Sequence, residues 1–112
     1  MEKNLRVKKS REFESIIKKR KSVANKDYVL YYATNDLSHL RVGFSVSKKL
    51  GKAFIRNKVK RQVRMMANNI FDKTQGCDYI IIVRKHYLEQ TFNENQESLH
   101  DLYDKIRKRM EK

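Results

Sequence analysis

Several absences narrow the possibilities before any motif is read. The 112-residue chain has a single cysteine, Cys77. Neither an internal disulfide framework nor a cysteine zinc cluster can form, and Cys77 reads as a small buried hydrophobe beside a strand. Proline is missing altogether, so no helix or strand is vetoed on that ground. The three glycines are isolated, which excludes a glycine-rich phosphate loop. No apolar run approaches the ~18 residues of a membrane span, and Met1–Arg6 lacks the apolar core of a signal peptide. The expectation is a soluble cytoplasmic protein with no membrane partner.

Catalytic constellations are missing too. His39, His86 and His100 fall in a turn, at a strand exit and on a helix. General acid–base chemistry needs groups converging on one bond, and no spacing brings two of these together. They read as surface histidines. The carboxylates are scattered without metal-ligand spacing. No catalytic residue and no metal site is therefore expected in the protein.

What the chain does have is positive charge: 27 Lys and Arg against 13 Asp and Glu, a formal net charge of +14. That imbalance points to a polyanionic partner, nucleic acid before membrane. Apolar residues make up 39% and are clustered, which favours a folded domain over a basic tail. The length suits one domain over residues 1–112, with 1–8 a mobile basic lead-in.

Ser10 is placed to cap a first helix over about 10–20, where Phe13, Ile16 and Ile17 recur at helical spacing. Ser22 to Thr34 reads as one long strand, apolar or aromatic on both faces and so covered on both. Leu40, Val42, Phe44 and Val46 alternate with Arg41, Gly43, Ser45 and Ser47, a strand with one buried and one small, polar face. A second helix covers about 55–70. A turn at 73–76 leads to the apolar run Asp78–Val83, a central strand. A last helix starts near Phe92 or Asn93 and carries the stripe Leu99, Leu102, Ile106 and Met110. The order of elements describes one sheet with helices packed on it, an α+β domain.

The chain is organised around Ser45 to Arg64. An apolar strand ends in a small basic loop, and the loop feeds a helix. Arg56, Lys60 and Arg64 lie at i, i+4 and i+8, with Asn57 and Arg61 beside them, so these five share one face. Val59, Val63, Met66 and Ile70 follow the same period on another face, which suits a core. No carboxylate occurs between Ser45 and Asn69, so these cations have no local partners. Arg and Lys bind phosphate, and Asn can contact it too, without reading sequence. A basic helix face is often only solvated; the missing carboxylates and the interposed Asn57 favour a binding face.

Arg56-Asn57-Lys58-Val59-Lys60-Arg61, with Arg64 one turn on, resembles the "RNR" motif of the bacterial ribonuclease P protein subunit. The preceding Val42 to Ala53 resembles that family's segment before the motif, and the similarity runs from about Leu5 to about Leu102. The resemblance implies a two-layer αβββαβα sandwich of about four strands and three helices, with a left-handed βαβ crossover. It implies a protein that supports an RNA enzyme: a catalytic RNA subunit and the Mg2+ held mainly by it cut the 5′ leader from precursor tRNA. Arg56, Asn57, Lys58, Lys60, Arg61 and Arg64 would bind the RNA subunit. Phe13, Ile17 and Tyr31 match positions lining a cleft for the single-stranded leader, and Lys48, Lys49, Lys52, Arg84 and Lys85 would supply its charge. Without the resemblance, Phe13 and Tyr31 read as core residues. A monomeric protein in a 1:1 ribonucleoprotein is implied. The family usually has glycine where Arg20 stands, an aromatic at Ile17, an acidic or amide residue at Met65 and proline at His86. The alternative reading is a ribosomal or RNA-chaperone protein of similar fold.

Overall fold

The structure, a computed structural model, describes residues 3–110. Its regular elements are α1 (Ser10–Lys18), β1 (Ser22–Ala24), β2 (Tyr28–Thr34), β3 (Arg41–Ser45), α2 (Ala53–Ile70), β4 (Cys77–Val83) and α3 (Phe92–Met110), with 3-10 turns at Lys3–Leu5, Lys48–Leu50 and Lys85–Glu89. The sheet order is β1-β2-β4-β3. β4 is an inner strand, antiparallel to β2 and parallel to β3. That position explains its unbroken apolar sequence, since both of its faces are covered.

Strand alternation sorts side chains to two covers. On one face Tyr28, Leu30 and Tyr32 of β2, Val42 of β3 and Tyr79 and Ile81 of β4 join Val59, Val63 and Met66 of α2 and Leu99, Leu102 and Ile106 of α3. This is the sheet-and-helix sandwich that was expected. On the opposite face α1 adds a smaller cover, where Ile16 packs with Val7, Ala33 and Ile80, and Phe13, Tyr31 and Ile82 lie against them. The small face of β3 is small for that reason: Phe13 occupies the space above Gly43. Cys77 is buried at the start of β4, and its thiol donates to the Ala33 carbonyl.

Four expectations are corrected. The long first strand is two strands. Asn25 Oδ1 accepts from the backbone N–H of Asp27 and Tyr28, both at 2.9 Å, and this side-chain turn reverses the chain without glycine or proline. Ser10 does not cap α1; it is the first helical residue, and Lys9 stands at the cap without a side-chain bond. Residues 1–8 were expected to be a mobile lead-in, but Leu5 and Val7 are buried and the Val7 N–H bonds the Val42 carbonyl. Met1 and Glu2 lie outside the described residues. Finally, His86 is more than a surface group. Its Nδ1 lies 2.7 Å from Asp27 Oδ1, and Asp27, 1% exposed, also accepts from Ser98 Oγ at 2.7 Å.

α3 opens with a reciprocal cap. The Thr91 N–H donates to Glu94 Oε1 and the Glu94 N–H to Thr91 Oγ1. Hydrogen bonds from the Thr91 backbone N–H and hydroxyl hold the Glu94 carboxyl below its ordinary value. Among the described residues no helix is long and apolar enough to cross a membrane.

Candidate nucleic-acid interface

The approach to α2 is set by local backbone chemistry. Ser47 Oγ accepts from the Lys49 N–H, starting the 3-10 turn Lys48–Leu50. Gly51 follows at φ 139°, a conformation that side chains rarely tolerate. Arg56 Nε then donates to the Gly51 carbonyl at 3.2 Å, locking the loop onto the first turn of the helix. Arg56 is thus partly a structural residue, with its terminal nitrogens left for other partners.

α2 buries Val59, Val63, Met66 and Ala67 and turns Asn57, Lys58 and Arg61 to solvent, with Arg56, Lys60 and Arg64 half-buried at the flank. The helix contains no carboxylate. Among the described residues none of its five cations forms an ion pair with one. The cationic stripe read from spacing is therefore present and uncompensated.

The structure adds Arg6, which spacing did not single out. Residue 6 bridges to Val42 on the β3 edge. It thereby comes close enough to Arg64 for the two charges to act on each other: burial first, then the Arg6 charge, push the Arg64 guanidinium down from its ordinary value. Arg64 lies over the Phe44 ring at 5.8 Å, with its Nε buried and without a protein acceptor. Like charges within electrostatic reach of each other disfavour one another and are relieved by an anion near both. No local sequence signal marks Arg6, because its neighbour is 58 residues away.

The second predicted surface is assembled from four elements. Phe13 on α1 and Tyr31 on β2 both pack against the buried cluster of Val7, Ile16, Ala33 and Ile80 and are half-buried, so each ring packs in part and remains exposed in part. Core packing and surface presentation both hold for them. Ile17, one turn after Phe13, is half-buried but does not join that packed set. β3 and β4 run parallel, so Lys48, Lys49 and Lys52 after β3 and Arg84 and Lys85 after β4 leave the sheet at the same end. All five are exposed. Arg84 is fixed there by its N–H to the Asp27 carbonyl and by Nη1 to the Asn25 carbonyl, at 2.8 and 2.9 Å.

The opposite end of the sheet is neutralised internally. Arg41 forks onto Asp78 at 3.0 and 2.8 Å and also pairs with Glu12, and these partners raise its pKa further. Glu94, Glu97, Asp101 and Asp104 all lie on α3. On α2 and at the sheet end after β3 and β4, by contrast, the described Lys and Arg side chains form no ion pair with a carboxylate. Among the described residues no group of three His, Cys, Asp or Glu could hold a metal ion. The histidines do not converge: His39 bonds the Leu40 carbonyl, His86 pairs with Asp27, and His100 with Asp104.

The fold and its charge define a small basic α+β domain with one helix whose cations, among the described residues, pair with no carboxylate. Comparison with known proteins makes the class specific. A family profile described as Ribonuclease P spans residues 1–107. The ribonuclease P protein component of Streptococcus gordonii is 41% identical over 99 residues, covering 88% of this chain and 83% of that protein. The Staphylococcus aureus RNase P protein superposes with a TM-score of 0.84 at 38% identity, covering 91% and 94% of the two chains. The Thermotoga maritima protein gives 0.76 at 33%, covering 87% and 93%. The chain belongs to the ribonuclease P protein family, the protein part of an RNA-based endoribonuclease.

Proposed function

We propose that α2 and the β3 edge bind the catalytic RNA subunit, and that the face between α1 and the sheet holds the 5′ leader of precursor tRNA. The observation that carries this reading is the set Arg56, Lys58, Lys60, Arg61 and Arg64, five cations on one helix without a carboxylate. Arg6 beside Arg64 extends the set around the sheet edge. Phosphate contacts of this kind fix register without reading sequence, which suits a partner recognised by shape. Phe13 and Tyr31 offer ring surface on which unpaired bases stack irrespective of identity. Lys48, Lys49, Lys52, Arg84 and Lys85 supply positive charge at the adjoining sheet end.

In this reading the RNA subunit and Mg2+ held mainly by it perform the cleavage. The protein reduces repulsion between two RNAs and positions the leader. One protein monomer serves one RNA subunit, in the cytoplasm. The test is reconstitution: purified protein with precursor tRNA, Mg2+ and either the RNA subunit or none. Cleavage at the leader junction is expected only with the RNA subunit, and cleavage by the protein alone would overturn the reading. If about five to eight phosphates are neutralised, log affinity falls against log salt with a slope of about −3.5 to −7.

A further inference from the structure

Two large apolar side chains stand in solvent on the helix that carries the cations. Phe54 is 69% and Met65 57% exposed. Phe54, Lys58, Arg61 and Met65 are spaced i, i+4, i+7 and i+11, so they form one ridge along the side of α2 turned away from Val59, Val63 and Met66. Lys58 and Arg61 between them are exposed. Phe54 also walls a shallow groove with Leu88, itself 42% exposed, and Phe92. The order along the ridge is apolar, cationic, cationic, apolar.

Phosphate binding explains Lys58 and Arg61 and leaves the two ends of the ridge unexplained. A duplex backbone offers an aromatic ring nothing to bury against. The charge narrows the occupant: every polar group on the ridge is a cation and α2 holds no carboxylate, so the partner is a polyanion. A polyanion that also presents flat apolar faces is a nucleic acid with unpaired bases.

We propose that the Phe54–Met65 ridge is a stacking platform for unpaired bases of the RNA subunit, with Lys58 and Arg61 holding the intervening phosphates. α2 then docks at a loop, bulge or junction of that RNA in preference to a continuous duplex. The inference rests on the reading that α2 faces the RNA subunit.

The chain has no tryptophan, so Phe54→Trp creates a single indole reporter. Its fluorescence is expected to be quenched about two-fold or more on titration with the full-length RNA subunit. Leu37→Trp, an exposed position between β2 and β3, should respond little. Phe54→Ala should weaken binding to the RNA subunit about 5- to 150-fold, the range that stacking of one base corresponds to, without changing the salt slope because no charge is removed. Lys58→Ala should lower the slope instead. Thermal unfolding confirms that the Phe54 variants fold. Three results overturn the platform: normal RNA binding by Phe54→Trp without quenching, unchanged affinity of Phe54→Ala, or wild-type self-association in sedimentation that Phe54→Ala abolishes. A wild-type protein that fails to bind the RNA subunit at all would remove the reading of α2 as well, so the two failures are distinguishable.

Discussion

The ring of Phe13 rests on the bare Cα of Gly43. A Cβ at position 43 would lie 2.6 Å from Phe13 Cζ and 2.7 Å from Ile80 Cδ1. Glycine here sets how closely α1 approaches the sheet, and with it the width of the proposed leader cleft. Gly43→Ala is expected to destabilise the fold by about 1–3 kcal/mol through overpacking, measured by urea denaturation. It should also weaken binding of precursor tRNA with a long leader more than binding of leaderless tRNA. Equal losses for both substrates would detach Phe13 from leader binding.

The two proposed surfaces are separable by mutation. Arg61→Ala removes an exposed guanidinium from α2 and should weaken assembly with the RNA subunit by about 1–3 kcal/mol, whatever the substrate. The salt slope should become shallower by about 0.7–0.9 for the lost phosphate contact. Tyr31→Ala should leave assembly nearly intact and reduce affinity for a long-leader precursor by about 1–3 kcal/mol. Since Tyr31 also packs on Ala33 and Ile80, its thermal unfolding is measured first. Unchanged relative affinity for long-leader and leaderless tRNA in a well-folded Tyr31→Ala would remove the cleft assignment.

Asp27 links stability to pH. Burial alone would push its carboxyl up, but hydrogen bonds from Ser98 and His86 outweigh it and hold the pKa below the ordinary 3.8. A carboxyl with a folded pKa below its unfolded value contributes stability above the unfolded pKa, and that contribution is lost as pH falls through the folded one. Asp27→Asn should therefore cost about 1.5–3 kcal/mol at neutral pH, the range for hydrogen bonds to a charged group. The gap between wild type and variant should narrow below roughly pH 4. A constant gap across that window would show that the Asp27 charge is not what matters.

Arg20 adopts φ 56° immediately after α1, and its N–H bonds the Ile17 carbonyl. The helix exit keeps the left-handed geometry that favours glycine, here forced on a side chain that resists it. Arg20→Gly should raise stability by about 0.5–1 kcal/mol, read as a higher midpoint in urea. A lower midpoint would mean that the arginine side chain contributes contacts worth more than the strain.

Legibility from sequence followed the range of the interactions. α2 was readable almost residue by residue, because a helix repeats every 3.6 residues and both Val59-Val63-Met66 and Arg56-Lys60-Arg64 obey that period. The inner strand β4 was readable because burial on both faces demands an unbroken apolar run. The break at Asn25 was missed because one side-chain oxygen makes it, with no glycine or proline to flag it. The docking of Leu5 and Val7 was missed because two apolar residues among lysines carry no period.

The sequence by itself determined the excess of positive charge, the cationic helix, the inner strand and the last helix, all of which depend on composition or on neighbours within a turn. Only the tertiary structure decided which distant residues meet. It set Phe13 against Gly43, Arg6 within electrostatic reach of Arg64, and Asp27 between His86 and Ser98. It also brought the lysines after β3 and the Arg84–Lys85 pair after β4 to one sheet end, because those two strands run parallel. Such pairings are fixed by strand order and register, which depend on how the whole apolar set packs and leave no trace in local spacing.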